Sequence, residues 1–275
     1  MRAIQLFLLI AIAACSGPAK VVPSPHHGPG VAALEDSVFP KTPIGLAARR
    51  GHAILTATRD SLPGYVGNGL RCTSCHLDDG RRPFAMPWLG VHARYPQYRS
   101  RAGRVTTVED RIAECLLRSL AGKTLPPDDE RLRAIEAYFA FISVGTPVGS
   151  ATPGQGIDSV HAGPPDTTAG QAVFAARCSR CHGADGAGIP PVTPVWGDRS
   201  FTIGAGMGRV LTAAGFIRHN MPFDSAGVLT DQQALNVAAY IDSRPRGDFA
   251  GKEHDWPKGG APADVPYRTL AQQRR

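Results

Sequence analysis

Apolar residues recur at helical spacing in the segment Asp128–Ser143. They are Leu132, Ile135, Phe139 and Ile142. Positions three and four residues apart share one helix face, so this pattern predicts an amphipathic α-helix. The segment Thr230–Ser243 has the same character and predicts a second such helix. Its apolar positions are Leu235, Val237, Ala238 and Ile241.

A further helix is predicted before the middle of each half of the chain. Pro43–Asp60 begins with proline, which suits the first turn of a helix. Thr168–Arg177 takes the corresponding place in the second half, and Val108–Leu120 has an apolar face of its own. Because the same order of elements occurs twice, the chain reads as an internal duplication and a mainly α protein.

Proline and glycine divide the chain between these segments. A Gly/Pro/Thr-rich stretch near the middle separates the two halves, and a polar stretch near the start has no periodicity. The predicted units are a leader (1–15), a flexible tether (16–40), a first domain (41–146), a linker (147–167), a second domain (168–246) and an extended tail (247–275) that wraps the body or is disordered.

The first residues predict export. Arg2 precedes the apolar run Ala3–Ala14, which is too short to span a bilayer as a helix. The run ends at Cys15, and Ile12–Cys15 resembles a lipobox, where the leader is cut and the cysteine receives lipid. An ordinary secretory signal is the alternative. We expect a chain that faces the periplasm as a lipoprotein anchored to a membrane.

Two CxxCH motifs, Cys72–His76 and Cys178–His182, indicate two covalent c-type haems. In this motif both cysteines form thioether bonds to the haem, and the histidine binds its iron. A thioredoxin-type motif or a zinc site would need a βαβ context or further ligands, and neither is evident. The predicted attachment residues are Cys72, Cys75, Cys178 and Cys181, and the predicted proximal iron ligands are His76 and His182.

The other axial ligand of each iron is predicted from spacing. Met221 lies 39 positions after His182 and is the expected distal ligand of the second haem. Met207 is its competitor, within a glycine-rich run.

The same step of 39 positions from His76 reaches Cys115 in the first half. Met86 and His92 are alternatives, but both are close to His76 and leave little chain to pass around the haem edge. A lone cysteine is most often a small buried apolar residue, and Cys115 shares a helix face with apolar neighbours. The matching step in the two halves favours ligation of the first iron.

The formal net charge is +7. Nucleic acid is not an expected partner of an exported chain, so we interpret the excess as positive potential for small anions or an acidic redox partner. Six arginines lie within 25 residues around the predicted ligand helix, and about half are expected on a solvated face or at haem propionates. They are Arg94, Arg99, Arg101, Arg104, Arg111 and Arg118.

Several segments together resemble the thiosulfate dehydrogenase family of dihaem cytochromes, and the similarity covers about residues 43–246. They are Gly67–Leu77, Tyr95–Tyr98, Gly103–Val105, Glu109–Ile112 and Cys115. The resemblance implies two tandem class I cytochrome c domains, each wrapped around a covalent haem. It also implies oxidation of thiosulfate to tetrathionate, with possible reversal, and delivery of electrons to a periplasmic partner such as a small cytochrome c.

The resemblance further implies that His76 and Cys115 bind the iron of the catalytic haem. Substrate-site residues of the family correspond to Arg101, Arg111 and Ser119. The second haem, matched to His182 and Met221, would relay electrons outward. Some family members have a lysine before that methionine that can also bind iron. This chain has Asn220 there, which puts such ligand switching in doubt.

Two other functions remain open at this point. One is a non-catalytic dihaem electron carrier in which Cys115 is merely buried. The other is a cytochrome of the Sox complex type, which also uses a cysteine-ligated haem but acts with a partner subunit and a sulfur carrier protein.

Overall fold

The structure, a computed structural model, describes residues 34–274. Within that range six helices have eleven residues or more. They are α1 Pro43–Thr56, α2 Val108–Arg118, α3 Glu130–Ile142, α4 Thr167–Arg177, α5 Val210–Asn220 and α6 Asp231–Asp242. The only sheet among the described residues is an antiparallel hairpin of β1 (Gln97–Arg99) and β2 (Arg104–Thr106), with Tyr98 opposite Val105. The predicted mainly α fold is confirmed.

Short turns of helix occupy parts of the connecting segments. Single α-helical turns are Thr58–Ser61, Leu77–Gly80, Val91–Arg94, Ser179–His182 and Leu270–Gln273. Short 3₁₀ turns are Asp36–Val38, Cys72–Ser74, Gly206–Gly208 and Lys252–His254. Both motif segments therefore contain such a turn, which holds the two cysteines of each motif close in space.

Side-chain caps fix where the longer helices begin. The hydroxyl of Thr42 accepts a hydrogen bond from Gly45 N at 3.2 Å, and Pro43 occupies the first turn of α1. At α2, Thr107 and Asp110 cap each other's backbone, with Asp110 N to Thr107 Oγ1 at 3.3 Å and Thr107 N to Asp110 Oδ2 at 3.0 Å. These caps fix the register of α2, which carries Cys115.

In the first domain α1 crosses α3 at very short range. A Cβ added at Gly51 would lie 2.0 Å from the carbonyl oxygen of Ala134 and 3.0 Å from Cβ of Tyr138. Tyr138 also meets Trp88 edge-on, with ring centroids 6.1 Å apart. Only glycine permits this approach of the two backbones.

The second domain repeats this arrangement with different residues. A Cβ added at Gly170 on α4 would lie 2.0 Å from the carbonyl oxygen of Asn236 on α6 and 2.9 Å from Cβ of Tyr240. Tyr240 meets Trp196 edge-on at 5.9 Å between ring centroids. The duplication inferred from the order of elements therefore extends to the helix crossing and its aromatic pair.

Each domain has its own core, and the predicted helix faces point into it. Leu132, Ile135 and Phe139 of α3 are buried, while Ile142 at its end is half-buried. In α6 the four predicted apolar positions are all buried.

The two domains are joined by buried hydrogen bonds. Asn68 is buried, and its Nδ2 donates to Ser119 O and to Ser200 O, both at 2.8 Å. Gly69 N donates to Arg199 O at 2.8 Å. Phe201 lies in the core of the first domain. The segment after the second motif thus packs against the first domain.

The N-terminal tether is shorter than the sequence indicates. Phe39 is buried in the first core, and Leu34 N donates to Asp79 Oδ2 at 3.0 Å. Residues 34–40 are therefore part of the folded body, because an apolar anchor and a carboxylate hold them. The predicted leader with Cys15, and the tether up to residue 33, lie outside the described residues.

The C-terminal tail wraps the body, which decides between the two predicted alternatives for the described residues. Asp255 accepts from both terminal nitrogens of Arg118, at 2.6 and 2.8 Å, and from Tyr267 Oη at 2.7 Å. Trp256 is buried beneath the guanidinium of Arg101, 4.6 Å from ring centroid to Cζ. The tail is fastened to Arg101, which precedes the predicted ligand helix, and to Arg118, the last residue of that helix.

The linker between the domains also packs on the first domain. Phe84 N donates to Gly154 O at 2.7 Å, and Met86 N donates to Gly156 O at 2.9 Å. Among the described residues, no helix has both the length and the apolar character that a bilayer crossing requires.

Candidate functional site

A cavity of about 490 Å³ lies in the first domain, and four predicted haem residues line it together. These are Cys72, Cys75, His76 and Cys115. Its volume falls within the range of about 300–1,000 Å³ that is usual for cofactor pockets. Spacing and the family resemblance both pointed to Cys115, and the fold places it in the same cavity as the CxxCH motif.

The walls of this cavity suit a porphyrin ring. Leu55 of α1, Ile112 and Leu116 of α2, and Ile135 and Phe139 of α3 supply apolar surface. Burial raises the pKa of the Cys72 and Cys75 thiols to about 12, so both are neutral. A flat apolar cofactor attached through these sulfurs fits the residues present.

His76 is held in the protonation state that a metal ligand needs. Its Nδ1 lies 2.6 Å from Met86 O. A carbonyl oxygen only accepts, so Nδ1 carries the proton and the lone pair of Nε2 is free. Burial lowers the pKa of His76 to about 4, with a smaller effect from Arg111, so the ring is neutral at neutral pH.

The other ligand candidates of the first half lie elsewhere. Met86 lines the cavity, but its carbonyl binds the ring of His76, so it sits on the same side as that histidine. His92 is exposed and does not line the cavity. Cys115 therefore remains the candidate among the residues weighed for the distal position.

Helix α2 presents Arg111, Cys115 and Ser119 to the cavity at one-turn intervals. Arg111 Nη1 lies 3.2 Å from Glu114 Oε2. The charge interaction with Cys115 has the largest effect on the pKa of Arg111 and raises it. Burial lowers this pKa and Glu114 raises it, so the net pKa is above its usual value. Ser119 ends the helix, with its N–H donating to Cys115 O at 2.9 Å. One helix face therefore contributes a cation, a thiol and a hydroxyl to the lining of the same cavity.

Five arginines and no acidic residue line the cavity among the described residues. The arginines are Arg71, Arg94, Arg99, Arg111 and Arg209. Burial lowers the pKa of Arg94, but a guanidinium remains charged at neutral pH. The lining of the cavity is therefore positively charged, which favours small anions.

Half of the six clustered arginines point away from this cavity. Arg104 is an exposed partner of Asp110, at 2.9 Å. Arg118 binds Asp255 of the tail. Arg101, the predicted substrate residue, does not line the cavity. Its Nη1 donates to Gly204 O at 3.0 Å, and its Nε lies 3.9 Å from Asp255.

In the second domain the predicted haem residues lie in a more open setting. His182 Nδ1 donates to Thr193 O at 2.9 Å, and burial lowers the pKa of this histidine. Cys178 is half-buried and Cys181 is exposed. Met221 packs against the second core. None of these four lines the first-domain cavity.

Met207, the competing methionine, has a different location. It lines the first-domain cavity and packs against the cores of both domains. Met207 therefore lines the first-domain cavity and Met221 does not, although both methionines pack against the cluster of Leu77, Ala85 and Phe216.

Two family models match the two domains separately. The model described as the SoxA/TsdA cytochrome c domain matches residues 66–148, and the one described as subunit III of the cbb3-type cytochrome c oxidase matches residues 165–241. A curated thiosulfate dehydrogenase of Psychrobacter arcticus is 41% identical over 246 residues, which cover 86% of this chain and 75% of that protein. One from Allochromatium vinosum is 41% identical over 221 residues, 76% of this chain and 82% of its own.

The chain belongs to the thiosulfate dehydrogenase family. Its fold matches the thiosulfate dehydrogenase TsdBA of Marichromatium purpuratum, in its as-isolated form, with a TM-score of 0.78 and 32% identity. The match covers 86% of this chain, which spans about half (55%) of that solved chain. Two cytochrome c domains in this family imply two covalently bound haem c groups.

Asn220, where some thiosulfate dehydrogenases have lysine, is fully buried in this family member. Its Nδ2 donates to Phe216 O at 3.0 Å and to Phe84 O of the first domain at 3.2 Å. The ring of Phe84 stacks on His219 at 4.4 Å. Asn220 is thus committed to a contact between the domains.

Sequence reasoning missed two cavity residues of this family member, Arg71 and Arg209. Arg71 directly precedes the first motif, which was a usable signal. Arg209 comes from the second domain, where it precedes α5 and is far in sequence from the first motif. Nothing near it in the sequence points to the first cavity.

Proposed function

We propose that this chain oxidises thiosulfate to tetrathionate at the first-domain cavity. The observation that carries the proposal is that His76, Cys115 and Arg111 line one cavity, whose other lining residues include four further arginines and, among the described residues, no acidic one. The names of the curated relatives support the same substrate.

The reaction joins two dianions: 2 S₂O₃²⁻ → S₄O₆²⁻ + 2 e⁻. One S–S bond forms between the outer sulfurs, and two electrons leave. Bound haem supplies the one-electron acceptor and donor chemistry. The protein's share is to reduce the repulsion between two like-charged substrates, and guanidinium groups do this while orienting sulfonate oxygens by forked hydrogen bonds.

Each predicted residue has a role in this proposal. Cys72 and Cys75 would attach the first haem, and His76 and Cys115 would bind its iron. Arg111 and Ser119, next to the Cys115 sulfur, would hold substrate. Arg101 does not line the cavity and would act indirectly, because its guanidinium binds Gly204 O and the tail. Its pKa is lowered mainly by burial, but it remains a cation.

The second domain would pass the electrons outward, with His182 and Met221 as ligands and Cys178 and Cys181 as attachment sites. Cys181 is exposed, so this site is open to an external acceptor such as a small periplasmic cytochrome c. The first-domain cavity would also serve tetrathionate reduction, if the external redox partner has a potential low enough to donate electrons. Export and lipid anchoring at Cys15 are inferred from the sequence alone and belong to this proposal.

The test uses Cys115→Gly in the holoprotein. We expect loss of thiosulfate-dependent ferricyanide reduction and an altered first-haem absorption spectrum, with the second haem unchanged. Ala113→Gly is the matched control, since it adds glycine to the same helix but does not line the cavity.

Other outcomes identify the alternatives. Unaltered activity and spectrum in Cys115→Gly would refute the ligand assignment. If the wild-type holoprotein reduces no ferricyanide with thiosulfate, the chain is an electron carrier. Activity that appears only with a partner subunit and a sulfur carrier would indicate the Sox complex type.

A further inference from the structure

Two arginines at the boundary between the domains have buried Nε atoms without a hydrogen-bond partner among the described residues. They are Arg99, at the end of β1, and Arg209, just before α5. Both line the first-domain cavity. Leaving a buried donor unpaired is energetically costly, so such groups in a folded protein indicate a binding partner from outside the chain.

Neutral hydroxyl groups orient both guanidinium groups. Arg99 Nη1 donates to Tyr95 Oη at 3.4 Å, and Arg209 Nη2 donates to Thr212 Oγ1 at 2.6 Å. Neither arginine has an ion pair within the described residues, whereas Arg111 in the same cavity pairs with Glu114. The positive charges of Arg99 and Arg209 are therefore held in place and uncompensated.

The chemistry of the missing partner follows from these donors. Buried guanidinium groups bind carboxylate or sulfonate oxygens by forked, charge-assisted hydrogen bonds. Two sources of such oxygens exist at this site, a haem propionate and thiosulfate. A substrate is present only during turnover, but a buried donor needs its partner whenever the protein is folded. A propionate of the covalently bound haem is therefore a better partner for these two Nε–H groups than thiosulfate is.

We propose that Arg99 and Arg209, one from each domain, bind a propionate of the first haem and so fasten that haem to both domains. This inference rests on the haem at the first motif and not on thiosulfate turnover. It can be tested without substrate, so its failure and that of the proposed function are distinguishable.

The experiment measures the midpoint potential of each haem as a function of pH in Arg99→Gln and Arg209→Gln holoproteins. Removing a cation beside the first haem favours the oxidised state, so we expect its potential to fall. The propionate pKa should rise when the cation is lost, which adds a pH-dependent step to that potential. The second haem's potential should stay unchanged.

Arg104→Gln is the matched control, because Arg104 lies in the same hairpin but is exposed and paired with Asp110. Its potentials should equal those of the wild type. Arg209→Lys keeps the charge and should shift the first haem's potential less than Arg209→Gln does. If the glutamine variant binds no haem, the potential is measured in the lysine variant instead.

Three results would overturn the inference. Unchanged potentials with a raised KM for thiosulfate in both glutamine variants would assign the pair to the substrate. Unchanged potentials and an unchanged KM would show that Arg99 and Arg209 bind neither a haem propionate nor thiosulfate. A first-haem potential in Arg209→Lys as low as in Arg209→Gln would exclude charge pairing.

Discussion

The helix crossings give a prediction whose magnitude follows from the structure. Gly51→Ala would put a Cβ 2.0 Å from the carbonyl oxygen of Ala134, and Cβ atoms do not come closer than 3.0 Å to such atoms. Helices α1 and α3 would have to separate by about 1 Å. Overpacking costs up to about 3 kcal/mol, and alanine returns up to about 1 kcal/mol of helix propensity. We expect a net loss of about 2 kcal/mol.

Gly170→Ala should behave alike in the second domain, since its Cβ would also lie 2.0 Å from a backbone oxygen. The assay is urea unfolding of the holoproteins, followed by the absorbance of each haem, because each substitution should loosen mainly its own domain. Gly247→Ala is the control, with the nearest atom beyond its neighbours at 4.0 Å. Equal midpoints for all three variants would refute the close crossings.

Three further predictions concern charge. Asp255→Asn should cost about 1.5–3 kcal/mol by weakening the bonds from Arg118, and proteolysis of the tail should become faster. An unchanged urea midpoint would contradict this. Burial, with Glu109 nearby, raises the pKa of Glu136 from 4.5 to about 7. Folding thus favours its protonated form, and stability should fall as pH rises through this range. Glu136→Gln should flatten this part of the profile of melting temperature against pH, and an unchanged slope would exclude the group. Arg180→Gln should leave the urea midpoint nearly unchanged, because the ion pair it removes is exposed, and a clear fall in that midpoint would contradict this.

Local signals in the sequence were enough for the helices and the motif residues. The apolar period of Asp128–Ser143 predicts a helix whose observed bounds are Glu130–Ile142. The equal step from each motif histidine led to Cys115 and Met221, and their roles as iron ligands stay predictions. Cys115 lines the same cavity as the first motif, which is the location that this prediction requires.

Contacts between distant segments could not be predicted in this way. Arg209 reaches the first cavity only because the segment from Arg199 packs on the first domain. The position of Arg101 depends on Asp255 and Trp256, which come from the tail. Neither periodicity nor motif spacing contains such pairings, because they depend on how the two domains and the tail meet.

Phe84, Ala85 and Met86 connect the two sites through consecutive peptide groups. Met86 O accepts a hydrogen bond from His76 Nδ1, and Phe84 O accepts one from Asn220, the neighbour of Met221. The carbonyl groups of Phe84 and Met86 are only two residues apart, so a displacement of one of them acts on the backbone that carries the other. Thermodynamic linkage between sites is reciprocal, so whatever free energy the first site transmits through this segment, the second returns in equal measure. A change of state at either haem site should therefore affect the other site, and the two domains are better described as one thermodynamically linked system than as independent units.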